Sequence, residues 1–318
     1  MNKKINVKHF NKFLYIINSL ILFALLLTYL TPLIDPINFW PISFIGLAYP
    51  ILLFINLLFL IFWFFSWKKY FWANFIIIFL GVSHVESFIG INEIEINQSV
   101  NSIKILSYNV RLFNKNENIK KQDIDNKIIK FIKSYDAQIF CVQEFEKSEN
   151  SKILEHFFNT KIKDKIKLQI FSVYEEVNYG VIKDNICVYK DLKIDKDTIR
   201  VYNMHLQSNW IDSIRSSFQN RSNEVKIIKK HIKSSPYKVI LCGDLNDTPI
   251  SYAYNKISKD MKDSFNKSAK GLGGSHTEIP MLRIDYIFTS KEIESYNYQK
   301  HSIKLSDHFP ISCKIIIP

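Results

Sequence analysis

The chain has 318 residues, of which 47% are hydrophobic, near the globular norm, and a formal net charge of +12. Residues 1–100 carry only +2 of that charge, so the basic excess lies in the other 218; it suits a phosphorylated or polyanionic partner, but a chain rich in Lys, Asn and Ile reaches it through coding composition too, and charge alone decides nothing. The four cysteines, Cys141, Cys187, Cys242 and Cys313, each sit in or beside an apolar strand-like run without zinc-site spacing, which excludes a disulfide framework and reads them as small core residues.

In chain order, the first elements are three apolar runs, at 13–31, 42–66 and 70–90. Each is close to the roughly 20 residues that cross a bilayer. Trp40, Trp63, Trp67 and Trp72 fall near their ends, where interfacial aromatics gather. No small-residue cleavage site follows the first run and two more runs succeed it, so a cleaved signal peptide is disfavoured. Lys3, Lys4, Lys8 and Lys12 precede the first run, and Lys68-Lys69 separate the second from the third. The loop between the first two runs carries Asp35 and no basic residue. The positive-inside rule then puts the amino terminus and the Lys68 loop in the cytoplasm, and three crossings put the rest of the chain outside it. The third run contains Asn74, His84 and Glu86; lying on the membrane instead, it would leave the rest cytoplasmic. The expected organisation is a transmembrane region over 1–91, a linker over 92–101 and a soluble domain over 102–318.

From Ile103 onward, short apolar runs alternate with polar helical stretches. The pattern predicts strands at Ile103–Val110, Gln138–Gln143, Asn185–Tyr189, Thr198–Leu206, Lys238–Cys242, Arg283–Thr289 and Pro310–Ile317. It predicts helices at Gln122–Tyr135, Lys152–Phe158 and Ser213–Lys233, the last with Phe218, Val225, Ile228 and Ile232 on one face. Strands and helices interleave without a strict βαβ repeat, which points to packed sheets covered by helices. There is no internal repeat and no low-complexity tract.

Six of these strands begin or end in polar residues. "ILSYNV" ends at Asn109, "IFCVQE" at Glu144, and "VYNMHLQS" places Asn203 and His205 at an end. "ILCGDLND" supplies Asp244 and Asn246, "RIDYIF" opens with Asp285, and "LSDHFPIS" sets Asp307 and His308 before the last strand. Such groups are costly inside a core and useful around a cleft, where a sheet holds them rigidly. Glu144, Asp307 and the Asn109 amide are hard oxygen donors suited to Mg²⁺ or Mn²⁺. Asp244, with Asn246 two residues on, can fix a water and take its proton. His205 and His308 can donate hydrogen bonds to a phosphoryl group, and Asp285 is a candidate to orient His308. Singly, each has a bland alternative: a strand-end turn for Asn109, an Asx turn for Asp244-Asn246, a satisfied core histidine for His205. His84 and His231 carry no such signal. His276, in the glycine-rich "GLGGSHTEIP", borders the Asp285 motif and is a candidate substrate contact, as is Trp210.

Taken together, Asn109, Gln143-Glu144, Asn203-x-His205-Leu206, Gly243-Asp244-x-Asn246, Ile284-Asp285-Tyr286 and Ser306-Asp307-His308-x-Pro310 resemble the endonuclease/exonuclease/phosphatase superfamily, in its own motif order over about 102–318. The whole chain looks like a membrane-anchored bacterial branch of it. The resemblance implies a four-layer α/β sandwich, two central β-sheets flanked by helices, and a Mg²⁺- or Mn²⁺-dependent phosphoesterase. It implies Asp244, Asn246, His205, His308 and Asp285 as catalytic residues, Glu144, Asn109 and Asp307 at the metal, and Asn203 and His276 toward the substrate. The expected partners are the lipid bilayer, through the amino-terminal helices, and a phosphodiester substrate; no protein partner is expected. The expected location is a multi-pass inner-membrane position with the domain periplasmic. Endonuclease-like cleavage is the leading expectation, a sphingomyelinase-type phospholipid phosphodiesterase the alternative, and a catalytically weakened binding module the third reading. Segments 145–202 and 209–237 are short for the family, and such segments shape the substrate cleft.

Overall fold

The structure, a computed structural model, describes residues 7–66, 69–92, 94, 101–114, 121–148, 150–163, 166–183, 186–208 and 213–318. Most of the expected linker, together with Trp67, Lys68 and Trp210, lies outside the described residues.

The apolar runs form α1 (Val7–Thr28), the short α2 (Pro36–Phe39), α3 (Pro41–Leu47), α4 (Tyr49–Phe65), α5 (Tyr70–Leu80) and α6 (Val82–Val85). Prolines open α2 and α3, where a missing N–H costs nothing, and Asp35 caps α2 by accepting from the Ile37 N–H. α1, α4 and α5 pack as a bundle. The polar residues inside the runs meet one another there. Asn18 and Asn74 exchange two hydrogen bonds, 3.0 and 2.9 Å, and the Trp63 indole donates to Asn18 at 2.7 Å. Exposed Phe, Leu and Ile side chains cover the outside of the bundle. Among the described residues, one helix is long and apolar enough to cross a membrane, Phe10–Thr28 within α1. The second expected run is bent by 60° between α3 and α4, and the two pass the same test only as a pair. The third is shorter than expected: α5 has 11 residues, about 16 Å at 1.5 Å per residue.

The rest of the chain runs β1 (Ile89–Ile91), β2 (Ile103–Asn109), a turn α7 (Arg111–Asn114), α8 (Lys121–Tyr135), β3 (Ile139–Gln143), α9 (Lys152–Phe157) and β4 (Gln169–Ser172). It continues through β5 (Glu175–Lys183), β6 (Cys187–Ile194), β7 (Asp197–His205), α10 (Ile214–Lys233), β8 (Lys238–Asp244) and α11 (Tyr252–Ser258). It closes with β9 (Lys262–Asp263), α12 (Ser264–Ser268), β10 (Lys270–Leu272), β11 (Asp285–Thr289), β12 (Glu294–Lys300) and β13 (Ile311–Ile316). One sheet has the order β5-β6-β7-β8-β11-β9, the other β12-β13-β2-β3-β4. Ile105, Ile139, Cys141, Val201, Ile240, Cys242 and Cys313 fill the space between them. α8 and α9 cover the outer face of the five-stranded sheet through Ile128, Ile132, Leu154 and Phe158. α10 and α11 cover the six-stranded one through Val225, Ile228 and Ile257, with Ile232 packed alongside. Four layers result, as the resemblance implied, and all four cysteines are buried free thiols.

The topology gathers the polar strand ends. β2 and β3 run parallel, as do β7 and β8, so Asn109, Glu144, His205 and Asp244 all stand at or just past carboxyl ends. β11 is antiparallel to β8 and β13 antiparallel to β2, so Asp285 and His308 stand where those strands begin. Six segments scattered in sequence therefore meet at one edge of the sandwich.

Candidate active site

Local backbone geometry aims the site. Gly243 has φ +132°, and a Cβ there would lie 2.0 Å from the Met204 carbonyl oxygen of the neighbouring strand, so only glycine lets β8 run beside β7 up to Asp244. Glu144, just past β3, takes φ +49°, and Asn246 takes +52°. A left-handed glutamate is a sparsely populated conformation, and this one turns its carboxylate out of the strand and into the cleft.

Asp244 is the hub. It is 1% exposed, and its Oδ1 accepts the Asn246 N–H at 2.8 Å, an Asx turn serving the site. Its Oδ2 accepts from Asn109 Nδ2 at 3.1 Å, and that nitrogen also donates to Glu144 Oε1 at 3.1 Å. His205 Nε2 stands 3.5 Å from Glu144 and 3.7 Å from Asp244. His308 Nε2 is 3.7 Å from the same Asp244 oxygen, while its Nδ1 bonds Asp285 Oδ2 at 2.8 Å. Asp307 lies 3.9 Å from His308 and is paired with Arg111 at 3.3 Å. Ser306 donates to the Asn109 carbonyl at 2.8 Å and so pins the last motif to the first. Eight of the expected residues (Asn109, Glu144, His205, Asp244, Asn246, Asp285, Asp307 and His308) thus form one continuous constellation.

Electrostatics sets their protonation. Burial pushes the Asp244 carboxyl up to about 6, a carboxylate poised near neutral pH. Burial alone would lower the pKa of His308, but the facing carboxylates of Asp285 and then Asp244 outweigh it and hold the ring up at about 10. His308 is therefore an imidazolium at neutral pH, donating to Asp285 from Nδ1 and carrying a second N–H on Nε2 beside Asp244. His276 joins the rim. It bridges His308 in antiparallel fashion, with ring centroids 5.8 Å apart, and its Nδ1 faces the backbone N–H groups of Glu278 and Ile279. Those donors fix its proton on Nε2, and burial together with the cationic His308 lowers its pKa.

Two expectations change. Asn203 is not available to a substrate: it is fully buried, donates to the Val142 and Gln169 carbonyls, and accepts from Gln143 at 2.6 Å. It shares a strand face with His205 but sits two residues deeper, where it ties β7 of one sheet to β3 and β4 of the other. Asn109 turns its amide nitrogen toward the carboxylates, while its oxygen accepts the Arg111 N–H. It acts here as the bridge between Glu144 and Asp244. Arg111 is the partner that sequence reasoning missed, since a lone Arg two residues after Asn109 carried no pattern of its own; Ser306 stood in the last motif without a role.

The tightest group of ligand-type atoms among the described residues is Asp244, Asp285 and His308, within 4.8 Å of one another. An imidazolium has no free lone pair, so this group is better described as a charged dyad beside a base than as a metal cage. The adjoining acids Glu144 and Asp307 are more open, with side chains 29% and 24% exposed, and their oxygens are of the hard type that a divalent cation takes. Asp285 Oδ1 is buried without a hydrogen-bond partner, an acceptor left open beside the dyad. Carboxylate oxygens in this number suit a divalent ion such as Mg²⁺.

A family model described as "Endonuclease/Exonuclease/phosphatase family" matches residues 106–308, and a "Domain of unknown function (DUF8431)" matches residues 11–88. The chain belongs to the endonuclease/exonuclease/phosphatase family and is a phosphoric-ester hydrolase by that membership. Among solved structures, a Bacteroides thetaiotaomicron member of the same family is 18% identical with a TM-score of 0.54, covering 69% of this chain and 98% of its own. A mannosyl-6-phosphatase of the same organism is 19% identical at TM-score 0.53, covering 68% and 100%. Sphingomyelinase C from Streptomyces griseocarneus is 15% identical at TM-score 0.50, covering 68% and 99%. At these identities the likeness establishes the fold. No curated protein matches the chain.

Proposed function

We propose that the chain is a membrane-anchored, divalent-metal-dependent phosphodiesterase. The observation that carries this reading is the convergence of buried Asp244 with His205, cationic His308 and Glu144 around one cleft. When bound, Mg²⁺ or Mn²⁺ would neutralise a phosphate oxygen, with Glu144 and Asp307 as its holders. Asp244 orients a water and accepts its proton as the water oxygen bonds to phosphorus. Asn246 holds Asp244 for that task through its N–H, and its own amide is anchored by donation to the Leu206 carbonyl at 2.8 Å. His205 and His308 direct N–H groups at the phosphoryl oxygens, where charge builds as the ester P–O bond breaks. The departing oxygen takes its proton from bulk water.

The anchor reading draws support from the contacts of the first loop. Asp35, after α1, accepts from Ser222 and Lys226 on α10 at 2.7 and 2.5 Å and from Tyr252 on α11 at 3.1 Å. The Asn255 amide donates to the Pro32 carbonyl at 2.8 Å. With α1 crossing once, the catalytic domain shares the side of the membrane with Asp35, opposite the lysine-rich amino terminus. In this reading the positive-inside rule favours a domain outside the cytoplasm.

The test is turnover of bis(p-nitrophenyl) phosphate by the purified full-length protein. Hydrolysis with Mg²⁺ or Mn²⁺, abolished by EDTA, is the expected result; turnover indifferent to chelator contradicts the metal role.

A further inference from the structure

Three stretches that adjoin the catalytic groups also touch the end of the helical bundle. Ile250, four residues past Asn246, packs with Leu25 of α1 and Tyr49 of α4. The Gly273 N–H, three residues before His276, donates to the Phe88 carbonyl at 3.0 Å, and β10 pairs with β1 directly after α6, Leu272 opposite Ile89. Asp35 holds α10 and α11. The site-bearing edge of the sandwich is thus the edge that meets the bundle.

The rim beside His276 is built to show apolar side chains there. Both the Ser275 and His276 N–H groups reach the Leu282 carbonyl, and the Leu282 N–H returns to Ile279, closing a tight turn. Gly274 lies so close to the Pro280 carbonyl that a Cβ would stand 1.7 Å from it, which seats the turn against the strand that bonds Phe88. On this turn and its approach Leu272, Ile279 and Met281 are 56%, 49% and 45% exposed. Leu33, before Asp35, and Phe39, at the end of α2, are 70% and 53% exposed. The Lys300 ammonium also stands at this rim, donating to the Leu272 carbonyl at 3.2 Å, a cation that a lipid headgroup or a nucleic-acid backbone would equally meet. Aliphatic side chains continuous with a membrane-crossing bundle suit the headgroup–acyl boundary.

Building on the membrane-anchored phosphodiesterase reading, we infer that the substrate is a phosphodiester carried by a lipid of the surrounding bilayer, its headgroup phosphate reaching Asp244 and His308 while Leu272, Ile279 and Met281 lie in the interface. This favours the phospholipid alternative of the sequence reading over the nucleic-acid expectation that led it, and adds the apolar rim that would meet the bilayer. Cleavage is hydrolytic: a water oxygen bonds to phosphorus, one P–O ester bond breaks, Asp244 takes the water's proton, and the departing alcohol oxygen is protonated by solvent.

The experiment uses the full-length protein in vesicles of phosphatidylethanolamine and phosphatidylglycerol with Mg²⁺ or Mn²⁺, with bis(p-nitrophenyl) phosphate and plasmid DNA as soluble comparators. Release of headgroup or phospho-headgroup from the vesicles is expected, with little cleavage of DNA. In the double variant Ile279→Ser/Met281→Ser the ratio of vesicle to soluble-ester turnover should fall at least about tenfold, the loss of two interfacial apolar side chains. An unmoved ratio overturns the inference, because a merely structural defect lowers both rates together. So does soluble-ester or DNA cleavage without lipid cleavage. Absence of metal-dependent turnover on all three substrates overturns instead the hydrolase reading on which the inference rests.

Discussion

Asp244 and His308 take opposite charges at neutral pH, and their surroundings set both. Both are buried, yet burial raises the carboxyl to about 6 while Asp285 and Asp244 hold the imidazolium to about 10. Asp244 must be ionised to accept a proton, and His308 must stay protonated to keep both its bond to Asp285 and an N–H on Nε2 for the phosphoryl oxygens. Turnover should therefore rise with pH through about 6, stay level, and fall toward about 10. Asp244→Asn should remove the basic function at nearly constant shape and lower turnover by about 10²–10⁴-fold, with the melting temperature as the control for folding. A variant that keeps full turnover would remove Asp244 from the chemistry. The site residues were legible because each stood as a polar break at the end of an apolar strand. Asn203 was misjudged by the same rule, since alternation along β7 gives it the face of His205 without revealing its depth. Arg111 left no trace, because its importance comes from Asp307, nearly two hundred residues away.

At the level of elements, the strand ends are fixed by backbone demands that a few residues meet. Gly243→Ala would drive a Cβ into the Met204 carbonyl at a positive φ, and neighbouring backbone on both sides leaves no room to move. A loss of about 2–4 kcal/mol is expected, read as a lower midpoint in urea unfolding. Arg221 of α10 and Asp247, just after the site, form a buried ion pair at 3.2 Å, and Arg221 also donates to the Gln207 carbonyl at 2.9 Å. Arg221→Ala leaves Asp247 buried and uncompensated, so about 3–5 kcal/mol should be lost in the same assay. β3 and β8 could be read from sequence because they are buried along nearly their whole length and therefore mostly apolar. β5 and β12 were missed for the opposite reason. β5 is an edge strand exposed along most of its length, and β12 alternates irregularly around a register shift. α11 escaped because seven residues are too few for helical periodicity, although Ser251 caps it by accepting from the Tyr254 N–H.

For the whole molecule, the amino-terminal helices and the hydrolase domain are joined by specific polar contacts as well as by chain connection. Burial alone would raise the Asp35 pKa, but hydrogen bonds from Lys226, Ser222 and the Ile37 N–H outweigh it and lower the carboxyl to about 2. Because this folded value lies below the ordinary 3.8, the contact contributes fully above pH 3.8 and is lost as pH falls toward 2. Asp35→Asn should loosen the docking at neutral pH, seen as faster hydrogen exchange in residues 31–40 and in α11; unchanged exchange would mean that the loop is held by packing alone. The layered domain was foreseeable from six ordered motifs. The docking was not, since no pattern in the apolar third announces that Asp35 faces Lys226.

The most direct measurement is hydrolysis of bis(p-nitrophenyl) phosphate by the purified full-length protein, with and without EDTA, in the native chain and in Asp244→Asn. Metal-dependent turnover in the native chain, lost to chelator and to the substitution alike, is the expected result. Turnover that survives either one would contradict a metal-assisted phosphoesterase centred on Asp244.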